Sequence, residues 1–195
     1  MAGDNLLRAE LERVPRLPTE QQVPELLDIA RRHPHSVKAA RKRVPEQTQY
    51  TCFVYATRLL WSPSYIRIAR KAKHFGGSAR TPFFASPEFV RHLLDSGVLA
   101  RISRGDAQEG DTIVYQENEK PVHAGVIVGG DLVRSKWGDG GRLFEHPMLE
   151  VPASYGDTVT RCRAIARADA LKAFVRYIRT LPDFDEFQDY CGFEI

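Results

Sequence analysis

The chain has 195 residues, of which 43% are hydrophobic and 10% aromatic, enough for one well-cored domain and too apolar for a disordered chain. A formal net charge of +3 does not indicate nucleic acid, because no RNP-type aromatic strand or zinc-finger spacing accompanies the basic residues. Cys52, Cys162 and Cys191 are odd in number and widely spaced, which suggests neither a disulfide framework nor a cysteine-rich zinc site and fits a reducing compartment.

In chain order, residues 3 to 32 read as two short amphipathic helices broken at Pro15 and Pro18, with Thr19 as the N-cap of the second and Leu26, Leu27 and Ile29 continuing past Pro24. A basic stretch, Arg31 to Arg43, and the segment from Pro34 to Pro45 read as a solvated helix end and connector. Thr48 or Thr51 caps the next helix, whose apolar set Phe53, Val54, Ala56, Leu59 and Leu60 ends at Ser62-Pro63. Tyr65 to Lys73 forms a basic helix that stops at Gly76-Gly77. Another starts with Ser86 as N-cap, Pro87 at the first helical position and Glu88 in the first turn, and runs to Gly97.

Beyond Gly105 the pattern changes to short β-branched and aromatic segments, "DTIVYQ", "VHAGVIV", "DLVRSKW", "RLFEHP" and "DTVTRCRAIA", separated by Gly, Asp and Pro. The brief connections predict an antiparallel sheet. A last helix, Asp169 to Leu181, buries Leu171, Phe174, Val175 and Ile178, and an aromatic tail with Phe184, Phe187, Tyr190 and Phe193 follows. The expected class is α+β, with helices packed on a central antiparallel sheet and a C-terminal helix covering it. We expect a helical, partly basic N-terminal extension (1–45) and a catalytic-type domain (46–195). No apolar run reaches the ~18 residues of a membrane span. The start "MAGDNLLRAELERV" lacks the apolar core of a secretory signal, so the expected location is the cytoplasm, or a destination reached without a signal peptide.

The chemistry centres on Cys52. It falls in the first turn of its helix, where unpaired backbone N–H groups favour a thiolate and suit an oxyanion, although the same position suits a small buried residue. A cysteine nucleophile needs a base. Of six histidines, His33, His35, His74 and His92 lie in exposed surroundings, whereas His123 opens the apolar strand "HAGVIV", where Ala124 and Gly125 leave room for a substrate; His146 is the second candidate. Tyr50 and Gln49, just before the cysteine, suit either an oxyanion donor or a packing role. Trp137 with the glycines after it suits a substrate-lining loop or a hairpin turn, and Asp111 suits a turn. Neither HExxH nor a phosphate loop is present, so no metal and no cofactor is expected.

Three pieces, Cys52-Phe53-Val54-Tyr55-Ala56, Gly110-Asp111-Thr112-Ile113-Val114-Tyr115 and His123-Ala124-Gly125-Val126-Ile127-Val128-Gly129, together resemble the papain-like superfamily that contains the NlpC-type cell-wall peptidases and the CHAP amidases. The likeness covers roughly residues 48 to 146. It implies a papain-like core in which Cys52 attacks an amide carbonyl, His123 moves the proton, an acyl-enzyme forms, and a third polar residue orients His123. Ser135 stands nearest that place, where the superfamily prefers His, Asn, Asp or Glu, and Glu145 or His146 are the substitutes; Phe53-Val54 replaces the Ser-Gly common after the NlpC-type cysteine. The implied substrate is a peptide or a peptidoglycan stem peptide. Glutamine deamidation or amide transfer uses the same intermediate. The rival expectation is a catalytically silent relative that binds a protein partner through its N-terminal extension.

Overall fold

The structure is a computed structural model that describes residues 2–40, 50–75, 82–137 and 142–195. It is α+β, with seven helices and a six-stranded antiparallel sheet among the described residues. The helices are α1 (Ala2–Arg13), α2 (Thr19–Arg32), α3 (Cys52–Ala56), α4 (Pro63–His74), α5 (Pro87–Asp95), α6 (Arg167–Ile178) and α7 (Phe184–Cys191). The strands are β1 (Lys38–Ala39), β2 (Thr112–Glu117), β3 (Lys120–Gly129), β4 (Leu132–Lys136), β5 (Leu143–Pro147) and β6 (Thr158–Cys162), in the spatial order β1-β5-β4-β3-β2-β6.

Local chemistry accounts for the boundaries. Ser62 and Ser86 each accept a bond from the backbone N–H three residues on, with proline at the first helical position, so α5 begins where its cap signature places it and α4 begins at Pro63, two residues before the expected Tyr65. Thr51 does the same for α3, accepting from Val54 N at 3.3 Å, whereas Thr48 lies outside the described residues. The cap expected at Thr19 does not form: Pro18 is the N-cap and Thr19 is already helical. Asn118 and Glu119 both take positive φ, the geometry of a tight two-residue turn whose twist matches that of β2 and β3.

Side-chain alternation divides the sheet into two buried faces. On one, Val114, Ala124, Leu143 and Cys162 pack with α3 to α7; on the other, Ile113, Tyr115, Ile127, Val133, Trp137 and Phe144 pack with Leu7, Leu11 and Val14 near the N-terminus and Leu26 and Ile29 of α2. The expected boundary at residue 45 lies outside the described residues. The N-terminal helices contribute Leu7, Leu11, Leu26 and Ile29 to the second cluster, and β1 pairs with β5. Of the basic stretch, Arg32 pairs with Glu10, Glu25 and Asp28 and Arg31 with Asp28; residues 41–43 lie outside the described part. No described helix is long and apolar enough to cross a membrane.

Candidate active site

Cys52 is the first residue of α3, held there by the Thr51 cap and by Thr51 Oγ1 donating to Ala85 O at 3.3 Å. The helix has only five residues, so its dipole is short and the local N–H groups carry the electrostatics. Burial pushes the half-buried thiol up to about 11; hydrogen bonds from the backbones of Ala124, Phe53 and Cys52 itself, together with the charge of Lys136, act in the opposite direction. The resting group at neutral pH is therefore a thiol, surrounded by donors that stabilise the thiolate once the proton leaves.

Ala124, whose backbone bonds to the sulfur, follows His123 in β3, and successive strand residues face opposite ways, so the Cys52 thiol lies with Ala124 on the α3 side of the sheet and the His123 ring on the other. His123 lies on the α1/α2 face of the sheet, opposite Tyr115 in the register, with its ring stacked on Tyr155 at 4.0 Å and 23°. Its Nε2 is buried and has no hydrogen-bond partner among the described residues. Burial holds its pKa well below the usual imidazole value, and the charges of His146 and Lys136 push the same way, so the ring is neutral at physiological pH and able to accept a proton. Among the described residues no hydrogen bond joins Cys52 to His123, but both line one cavity of about 1510 Å³, together with Tyr50, Lys136, Trp137 and Tyr155.

The third position differs from expectation. Ser135 is fully buried and is held by two other groups: Trp137 Nε1 donates to its Oγ at 2.7 Å, and Ser135 Oγ lies 2.9 Å from His146 Nε2. His146 Nδ1 lies 2.9 Å from Pro147 O, which can only accept, so Nδ1 carries the proton and Nε2 accepts from Ser135. Ser135 thus orients His146, not His123. Glu145 faces the other way and pairs with Arg134 at 2.9 Å, which removes it as a substitute. His146 neighbours His123 electrostatically, yet its own nitrogens are both engaged.

The remaining expectations divide. Tyr50 lines the cavity beside Cys52, with Lys136 Nζ 5.4 Å from its ring centre, while Gln49 lies outside the described residues. Trp137 lines the cavity and stacks on Phe144 at 5.4 Å; the glycines after it are outside the described part. Asp111 is structural, bonded to Gln108 N, Ala164 N and the Arg163 guanidinium. The space expected at Gly125 is not open to a substrate: a Cβ there would meet Val133 Cγ1 at 2.5 Å, so the missing side chain lets β4 close on β3.

Two residues escaped sequence reasoning. Lys136 was legible by alternation, which puts it on the face opposite Ser135, toward α3. Tyr155 precedes Gly156, whose φ of +92° and contact with the Gln116 backbone admit no side chain, and this loop lays the phenol ring on His123. No group of three or more His, Cys, Asp or Glu suited to a metal occurs among the described residues. No family model matches this chain, and neither a curated protein nor a solved structure shows significant similarity to it.

Proposed function

We propose that the protein is a cysteine hydrolase that cleaves an amide bond in a peptide through an acyl-enzyme on Cys52. The observation that carries the reading is the unpartnered, neutral His123 ring in the same cavity as a thiol already surrounded by backbone donors and Lys136. A buried imidazole nitrogen without a partner is costly, and a proton-transfer role explains why it is retained. In the reaction the Cys52 proton reaches His123 through a water in the shared cavity, since the two side chains leave the sheet on opposite sides, as the sulfur bonds to the carbonyl carbon. The N–H groups near the sulfur stabilise the oxyanion, the C–N bond breaks, and the amine leaves with the proton from His123. Water then attacks the thioester, giving its proton to His123, and the carboxylic acid and free thiol are regenerated.

This chemistry needs a free thiol, and all three cysteines are unpaired, which suits a reducing, cytoplasmic-type environment. The resemblance of the Cys52 and His123 segments to papain-like amidases points the same way. A second reading, a silent binding module, draws on the engagement of Ser135 with Trp137 and His146, which leaves His123 without an orienting partner. A peptidyl acyloxymethyl ketone, which traps activated thiols, separates the two. Peptide mapping is expected to show one adduct, at Cys52, in the folded protein and none in Cys52→Ala; no adduct, or equal modification of Cys162 and Cys191, would favour the binding module.

A further inference from the structure

Two aromatic rings border the His123 imidazole. Tyr155 lies nearly parallel to it, with ring centres 4.0 Å apart and planes at 23°, and Tyr115 meets it at 5.5 Å and 44°. The outer torsion of a histidine is soft and roughly two-fold. A ring stacked this closely stiffens it, because turning the imidazole out of its plane drives an edge into the phenol face. Among the described residues Nε2 takes no hydrogen bond, and the Ser135 hydroxyl is engaged by His146 and Trp137, so the stack is the contact that holds the ring plane. Tyr155 is itself anchored at both neighbours. Ser154 N donates to Glu12 Oε2 at 2.9 Å, and Gly156, with a φ of +92°, lies so close to the Gln116 backbone that no Cβ fits there. Tyr155 N donates to Pro152 O at 3.0 Å and Gly156 N to Ala153 O at 2.9 Å, which closes the turn on itself. Glu12 belongs to α1, whose Leu7 and Leu11 are buried under the same face of the sheet.

We propose that Tyr155 is the positioning residue of His123, taking by ring stacking the orienting role that a hydrogen-bonded side chain has beside other catalytic imidazoles, and that α1 sets Tyr155 through the bond between Glu12 and Ser154. The inference rests on the hydrolase reading and gives the N-terminal helix a part in it. Packing alone does not ask for a parallel ring: aromatic pairs are equally content edge to face, as Tyr155 is with Trp137 at 6.3 Å and 83°. The proton path does ask for a fixed plane, since Cys52 and His123 leave the sheet on opposite sides and a relayed proton meets the ring nitrogen only in one setting of the ring. A phenol ring also brings no charge, so it orients the imidazole and leaves it neutral.

The test pairs a spectroscopic reading with a kinetic one on the full chain. The Cε1–H proton resonance of His123, assigned by its loss in His123→Phe, is expected upfield of an unstacked histidine, because the ring current of Tyr155 shields it. Tyr155→Leu is expected to return the resonance to the unstacked position and to lower the iodoacetamide rate at Cys52 near neutral pH by about tenfold per folded molecule. Tyr155→Phe, which keeps a ring on the imidazole, restores both. Glu12→Ala is expected to shift resonance and rate in the same direction by less, and Glu12→Gln, whose amide oxygen still accepts from Ser154 N, restores them. A Tyr155→Leu protein that melts earlier but keeps the parent rate per folded molecule overturns the positioning inference and leaves the hydrolase reading standing. Should Tyr155→Leu not fold, the half-buried Glu12 position decides, and an unmoved resonance and rate in Glu12→Ala overturn the inference. A parent rate equal to that of His123→Phe at every pH overturns the hydrolase reading, and this inference with it.

Discussion

Two histidines on the same face of one sheet are treated in opposite ways. His146, on β5, has both ring nitrogens engaged, Nε2 by Ser135 and Nδ1 by the Pro147 carbonyl, and the chain continues to Trp137. His123, on β3, stacks on Tyr155 and meets Tyr115 at a tilt, but among the described residues leaves Nε2 buried without a bond. Both are neutral and fully enclosed, so burial alone does not distinguish them. Hydrogen-bond satisfaction does: a closed polar network fixes a core, while an open buried nitrogen weakens it and is kept where something other than stability is required.

The largest expected effect breaks this contrast at His123. A His123→Phe variant preserves a flat ring against Tyr155 and removes the unpartnered nitrogen, so its thermal stability is expected to equal or exceed that of the parent. Reactivity of Cys52 toward an acylating probe should fall by about 10²–10⁴-fold, the range for loss of a general base. A variant that is destabilised with unchanged reactivity would make His123 another structural histidine.

The reverse experiment is Ser135→Ala. It leaves Trp137 Nε1 and His146 Nε2 buried without partners and is expected to cost about 4 kcal/mol in chemical denaturation, with one to three for each orphaned group. Reactivity of the remaining folded protein is expected to change little. Loss of reactivity at full stability would instead give Ser135 the orienting role at His123.

Acid provides a third comparison. His146 has its pKa lowered by burial to about 4 from an ordinary 6.5, and His123 is lowered as well. In that interval the unfolded chain binds protons that the folded chain does not, so stability is complete above 6.5 and is lost as pH falls toward 4. The loss from His146 alone is about 3 kcal/mol at pH 4. Denaturation midpoints flat between pH 7 and pH 4 would contradict this burial. The smallest effect is at Gly125→Ala, where a methyl group would meet Val133 and the β4 backbone; an overpacking cost of about 1–3 kcal/mol is expected, measured as a shift in unfolding midpoint.

Much of the fold was legible where a local rule acts within a few residues. The Ser86-Pro87 cap signature placed α5 and the period-two patterns placed five strands, whereas Ser62-Pro63, read as the stop of the preceding helix, is also the cap and first position of α4. What escaped depends on distant partners. The α7 helix is short and acidic at its start, and it is held by Phe187 stacking on Phe83 at 4.0 Å and by Lys71 over Tyr190, contacts that join residues a hundred positions apart. Strand β1 is two residues long and exists through its pairing with β5. At the candidate site, Cys52 and His123 were singled out by residue type and position, and alternation alone shows which side of β3 the imidazole takes. The choice of Ser135 as its orienting partner failed for a physical reason: a serine hydroxyl has one proton, and His146 receives it.

The most direct test of the central claim is the pH dependence of Cys52 alkylation by iodoacetamide, followed by peptide mapping in the parent and in His123→Phe. If His123 draws the proton from the sulfur, the parent rate rises and levels off below pH 8, and that limb disappears in the variant. An isolated buried thiol would instead give, in both proteins, a rate that climbs without a plateau toward the pKa of about 11, and the proposed nucleophile and base would then have no functional connection.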